Sequence, residues 1–173
     1  FALEYLEKRG VKENIIKEFK IGYVPKNNKF FNLLLKEFKI DEIEKTGLYY
    51  KIENSNQYID RFKNRIIFPV QNYADIIIAF GGRILNNDKL AKYINSPETE
   101  FYKKGNQLFN LNRAKDERPH TDKLVIVEGY MDVLALYSNN IKNVISNSGT
   151  ALTEKQIEII WRYFSNPIIC MDG

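Results

Sequence analysis

Four consecutive apolar residues, Leu124 to Val127, stop at Glu128-Gly129, and no other feature constrains the fold of this chain as tightly. An unbroken apolar run of this length reads as a strand buried on both faces, the mark of a parallel sheet. From residue 131 to 139 the spacing turns helical, with Val133, Leu134 and Leu136 apolar. In a strand-then-helix unit, ligands bind beyond the carboxyl end of the strand, which puts Glu128 at the mouth of a site. A second apolar run, residues 167–171, ends the same way at Asp172-Gly173. Two strands delivering carboxylates to one edge make a cation site, and the hard, oxygen-liganded Mg²⁺ suits it.

The residues before this unit have a different character. Short helices are expected over residues 2–9 and 12–19, broken at Gly10, then a strand over 21–24 closed by Pro25. An amphipathic helix is expected over 30–38 and a short one over 41–45, capped by Asp41 and ended by Gly47. Residues 58–61, 65–70 and 75–85 form apolar or alternating runs that read as strands, the last two joined by a turn near 71–74. Residues 115–122 are polar, contain Pro119 and read as a linker. Beyond it the order is strand, helix, strand at 143–146, helix at 153–164, strand, which is the rhythm of a parallel sheet. The expected class is α/β: a basic, mixed N-terminal subdomain over 1–118, followed by the start of a parallel sheet over 119–173.

Composition narrows the function. A hydrophobic content of 44% with 13% aromatics supports a packed core. No apolar run approaches the roughly 20 residues that cross a bilayer, and the start has no signal-peptide pattern, so no membrane partner is expected. One cysteine excludes an internal disulfide and fits a reducing, cytoplasmic setting. With one histidine as well, the usual four-ligand zinc site is excluded within the chain. From residue 61 to 118 there are eleven Lys and Arg against six Asp and Glu, a distribution suited to a polyanion.

Four strings in chain order carry a resemblance: Ala79-Phe-Gly-Gly-Arg-Ile-Leu85, Lys92-Tyr-Ile-Asn-Ser-Pro-Glu-Thr99, Val127-Glu-Gly-Tyr-Met-Asp132 and Ser148-Gly-Thr-Ala-Leu-Thr153. The Glu-Gly strand end resembles the TOPRIM fold, whose hallmark is that end followed later by an Asp-x-Asp strand end. Taken together, the four strings look like the bacterial replicative DNA primases, over nearly the whole chain. The resemblance implies part of a nucleotidyltransferase core that makes short RNA primers on single-stranded DNA from ribonucleoside triphosphates, with Mg²⁺ or Mn²⁺. It also implies a zinc module upstream and a replicative helicase contact downstream, both outside this sequence, and work at replication forks. The sequence stops before the second Asp of the Asp-x-Asp pair. The metal site is therefore incomplete as written, and this stretch alone is expected to be inactive.

By the same resemblance, Glu128 and Asp172 are the expected metal ligands, and Asp132, one helical turn beyond Glu128, is a further catalytic candidate. Asp132 also suits a helix N-terminus on dipole grounds alone. Arg61, Arg65, Arg83, Lys92, Tyr93, Asn95 and Lys104 match basic and polar positions expected to line a groove for template and triphosphate. Without the resemblance, Gly81-Gly82 reads as a bulge or a close approach for a phosphate or strand, and 92–99 as a polar loop. Thr153-Glu-Lys-Gln reads as a capping box, His120 as solvated and Cys170 as an inert core residue in a buried strand. Two further functions stay open: another TOPRIM enzyme, such as a phage primase or nuclease, and an inert single-strand-binding module.

Overall fold

The computed structural model describes residues 1–27, 29–85, 90–149 and 151–171. Asp172 and Thr150, both named in the sequence reading, lie outside the described residues. The chain runs α1 (Ala2–Lys8), α2 (Glu13–Glu18), β1 (Gly22–Val24), α3 (Lys29–Leu34), α4 (Ile40–Lys45), β2 (Tyr49–Lys51), β3 (Tyr58–Asp60), β4 (Arg65–Gln71), β5 (Ile77–Ile84) and β6 (Tyr93–Asn95). There follow α5 (Leu111–Ala114), β7 (Lys123–Val127), α6 (Tyr130–Ser138), β8 (Val144–Ser146), α7 (Glu154–Tyr163) and β9 (Asn166–Ile169).

The strands form an antiparallel sheet in the order β1-β4-β5-β6, a β2-β3 hairpin, and a parallel sheet in the order β8-β7-β9. β7 takes the central place because its run can be covered on both sides: Leu124, Ile126 and Val127 are all buried. β4 is equally apolar and buried along its whole length, which makes it a central strand of the other sheet. One core joins the two sheets. It gathers Ile66, Phe68 and Val70 of β4, Leu6 and Phe19 of the N-terminal helices, and Val127, Val133 and Leu134 of the strand-helix unit. A second core, with Leu108, Leu111 and Ala114, fills the space between the parallel sheet and Ile159, Ile160 and Phe164. Thus the residues just before 115 pack on the parallel sheet, and 115–117 form a 3₁₀ turn rather than an extended connection.

Three expectations change. α4 is capped not by Asp41 but at Lys39, whose N–H donates to the Glu42 carboxylate at 2.8 Å; Asp41 lies within the first turn. α3 is shorter than expected: Phe31 is buried against Tyr49 and Ile43 with Leu34 packed beside it, while Leu33, Leu35 and Phe38 stay exposed. Cys170 is exposed, not buried. Its N–H still donates to Ile126 O at 2.8 Å, but among the described residues nothing covers that face, and Ile169 is 64% exposed. The capping box of α7 forms as expected: Thr153 Oγ1 accepts from Gln156 N and Gln156 Oε1 accepts from Thr153 N, each at 3.1 Å.

The Gly81-Gly82 pair is regular strand, with the one irregularity of the β4–β5 ladder at Val70/Gln71. The glycines make room for rings. A Cβ on Gly81 would sit 2.4 Å from the Tyr130 ring, and one on Gly82 would sit 2.6 Å from Phe62. Tyr130 is fully buried and cannot swing away, so Gly81→Ala is expected to destabilise the fold by about 1–3 kcal/mol, the usual cost of overpacking. Thermal denaturation reads this directly; an unchanged midpoint would mean that the ring has somewhere else to go.

Candidate active site

Directly opposed residues of an antiparallel ladder project to the same face, and this brings the site together. Phe68, Gly81 and Asn95 lie in one row across β4, β5 and β6, and Ile66, Arg83 and Tyr93 in the next. Within the segment read as a polar loop, Tyr93–Asn95 form an edge strand, and its pairing aims Tyr93 and Asn95 to the side of Arg83. Tyr130, the second residue after Glu128, lies over the first row. Its ring stacks on Phe68 with centroids 5.0 Å apart and planes within 1°. It also meets Phe109 edge-on at 4.8 Å.

The Tyr130 hydroxyl donates to Asn95 Oδ1 at 2.5 Å, and Asn95 Nδ2 donates to Ser148 O at 3.4 Å. Burial pushes the Tyr130 hydroxyl well above the ordinary tyrosine range, so it stays a donor. These bonds tie the basic sheet to the carboxyl edge of the parallel sheet. At that edge Glu128 O accepts from Ser146 Oγ at 2.7 Å and from Gly149 N at 3.0 Å. The backbone of Glu128 is thereby held, while its side chain is exposed and has no hydrogen-bond or ion-pair partner among the described residues. Asp132, also exposed, uses Oδ2 to accept the Gly129 N–H at 3.0 Å, closing the first turn of α6. An acidic residue is expected here on dipole grounds; the structure adds this side-chain bond to the helix N-terminus.

Glu128 and Asp132 face a groove of about 470 Å³ whose other walls include Tyr5, Arg9, Arg83, Lys92, Tyr93, Asn95 and Lys104. Arg83 donates from Nε to Tyr93 Oη at 3.1 Å. Burial raises the Tyr93 hydroxyl pKa, and Arg83 opposes that rise. Lys104 is positioned from below: the α7 cap seizes its turn, with Gln156 Nε2 donating to Lys104 O at 3.3 Å and to Gln107 O at 2.8 Å, and Thr153 Oγ1 to Gly105 O at 2.6 Å.

Two residues expected on the groove are elsewhere. Arg65 is buried, and its Nη1 donates to the carbonyls of Ala91 at 2.9 Å and Lys92 at 3.3 Å, bracing the connection between β5 and β6. Arg61 donates from Nε to Gly47 O at 2.9 Å and lies 5.8 Å from the Tyr50 ring centroid, away from the groove lining. A guanidinium with backbone carbonyls in reach satisfies itself locally, which sequence alone does not show. The opposite omission is Tyr5 and Arg9: both belong to the first helical stretch, and only tertiary packing carries them to Arg83.

Four cations (Arg9, Arg83, Lys92, Lys104) and two carboxylates (Glu128, Asp132) share this groove, and no ion pair among the described residues joins the two sets. A ligand carrying phosphate together with a hard cation satisfies both at once. Among the described residues no group of three or more His, Cys, Asp or Glu is placed to hold a metal ion; the groove itself offers the carboxylates of Glu128 and Asp132, hard oxygen donors of the kind that suit Mg²⁺. No helix among the described residues is long and apolar enough to cross a membrane.

Residues 1–115 match the family model described as DNA primase catalytic core, N-terminal domain, and residues 122–173 that described as Toprim domain. The chain is 39% identical over 172 residues to the DNA primase of Rickettsia felis, covering 99% of this chain and 29% of that protein. Its fold is similar to the primase of Aquifex aeolicus solved with its zinc-binding and RNA polymerase domains: TM-score 0.92, 33% identity, 99% of this chain and 42% of that one. It is similar also to a primase catalytic domain bound to single-stranded DNA: TM-score 0.86, 36% identity, 99% of this chain and 54% of that one. The sequence thus spans about three-tenths of the length of the curated relative.

Proposed function

Because this chain belongs to the DNA primase catalytic-core family, we propose that its groove binds single-stranded template and ribonucleoside triphosphate and joins nucleotides into a short RNA primer, as part of the longer protein. The observation that carries this is the groove itself, where unpaired cations and unpaired carboxylates face each other across 470 Å³. Glu128, with Asp172 outside the described residues, would hold Mg²⁺ or Mn²⁺; when bound, the ion activates the attacking hydroxyl and offsets charge on the transferred phosphoryl group. Asp132 keeps the α6 N-terminus formed beside that edge. Lys92 and Lys104 supply mobile ammonium groups to phosphate, and Arg83 supplies a fixed guanidinium. Asn95 orients the edge through Tyr130 and Ser148. The division of labour between a basic unit over 1–118 and a TOPRIM unit over 119–173 belongs to the same proposal, as do a replicative helicase partner and an upstream zinc module in the longer protein. So does a cytoplasmic site of action.

The direct test is primer synthesis by the full-length protein from ribonucleoside triphosphates on single-stranded template with Mg²⁺. Absence of product under these conditions, with the protein folded, would refute the reading. A further prediction concerns binding alone. Arg83→Gln with Lys92→Gln should weaken single-strand affinity and flatten its salt dependence by about 1.4 in slope, since each lost phosphate contact removes roughly 0.7. Arg65→Gln should instead lower thermal stability and leave the slope near wild type. A slope unchanged in the double variant would count against phosphate contacts by Arg83 and Lys92.

A further inference from the structure

Arg83 is the deepest cation of the groove, 6% exposed, and no carboxylate pairs with it among the described residues. Its Nε is bonded to Tyr93, but neither Nη has an acceptor among the described residues. Two rings replace a counter-ion. The guanidinium carbon lies 4.3 Å from the Tyr5 centroid and 5.6 Å from that of Tyr93. The same Tyr5 ring has the Arg9 guanidinium carbon at 5.6 Å, so it draws two like charges into one groove against their repulsion.

Nothing among the described residues requires a hydroxyl at position 5. The Tyr5 hydroxyl is buried and has no hydrogen-bond partner among the described residues, a net cost that an apolar side chain would avoid. Leucine could not supply the electron-rich face. Resting on the functional reading above, we propose that Tyr5 is a positioning residue of the groove. Its ring holds the Arg83 guanidinium, backed by Tyr93, so that the Nη edge is presented to a phosphate oxygen pair. The ligand is phosphate, from either the template backbone or the nucleotide triphosphate. A planar, pre-oriented fork binds such a pair at lower conformational cost than a free side chain.

The test uses full-length protein carrying Tyr5→Phe, Tyr5→Leu, Arg83→Gln and the Leu/Gln double substitution. Affinity for a fluorescent single-stranded oligonucleotide reports template phosphate, and KM for ribonucleoside triphosphate reports the nucleotide. Tyr5→Phe should stay within about twofold of wild type on both, because it keeps the π face. Tyr5→Leu should lose about three- to thirtyfold on one of them, the span from an exposed to a desolvated cation–π contact, and so identify the phosphate's source. In the Arg83→Gln background the same change should cost nothing more. Additive losses, or a Phe variant as damaged as the Leu variant, would overturn the proposal. If Tyr5→Leu does not fold, the Arg83 Hδ protons of the wild type, which make no hydrogen bond, decide: upfield, ring-shifted NMR signals support the stack, and random-coil shifts refute it. Loss in Arg83→Gln with none in Tyr5→Leu would sink only the positioning role. Wild-type protein that neither binds the oligonucleotide nor uses nucleotides would sink the functional reading and this inference together.

Discussion

Glu128→Gln in the full-length protein is expected to lower primer synthesis by about 10²- to 10⁴-fold, because metal-assisted charge stabilisation contributes several kcal/mol and each 1.4 kcal/mol is tenfold in rate. The substitution keeps shape and removes one charge. The Glu128 side chain has no partner among the described residues; the residue is held instead through its backbone carbonyl, which accepts from the Ser146 hydroxyl and the Gly149 N–H. Single-strand affinity should remain within about twofold of wild type, or tighten at low salt, since an anion is removed from a groove proposed to bind phosphate. Asp132→Asn should be milder, because the amide oxygen can still accept the Gly129 N–H that holds the first turn of α6. Primer yield within threefold of wild type for Glu128→Gln would defeat the assignment of Glu128 as a metal ligand.

What the sequence made legible was local, and what it hid was tertiary. The run from Leu124 to Val127 announces its own burial, and the break at Glu128-Gly129 announces the strand end, so this corner of the site could be read by inspection. The α7 cap was equally visible, because its partners lie three residues apart. By contrast, β6 is three residues long and is a strand only because Gly81, Gly82 and Arg83 offer it a ladder. The two glycines looked like a bulge or a phosphate passage; their reason is two aromatic rings distant in sequence, Tyr130 over Gly81 and Phe62 over Gly82. Arg65 and Arg83 look alike on paper. One is braced by carbonyls of the β5–β6 connection and the other lies against the rings of Tyr5 and Tyr93 with its Nη groups unpartnered among the described residues, a difference made by neighbours from that connection, from β6 and from α1.

The same contrast sets the second large effect. Tyr130→Ala is expected to destabilise the protein by about 3–5 kcal/mol, the usual range for removing a buried aromatic side chain. The loss has three sources at one place. The ring fills the socket over Gly81, it stacks on Phe68 and meets Phe109 edge-on, and its hydroxyl satisfies Asn95. Because a domain's net stability is only about 5–15 kcal/mol, this one truncation removes a large share of it. Tyr130→Phe separates the parts. It keeps the ring contacts and leaves Asn95 Oδ1 without its donor, at a cost of about 1–3 kcal/mol. Asn95 also donates to Ser148, beside the Gly149 amide that holds Glu128, so the Phe variant should lose primer synthesis out of proportion to its small shift in melting temperature. The Ala variant should lose both together. Denaturant melts paired with primer assays on the two variants decide the matter. A Phe variant with wild-type activity would show that the hydroxyl serves stability alone, and that the carboxyl edge of β7 is held without help from the antiparallel sheet.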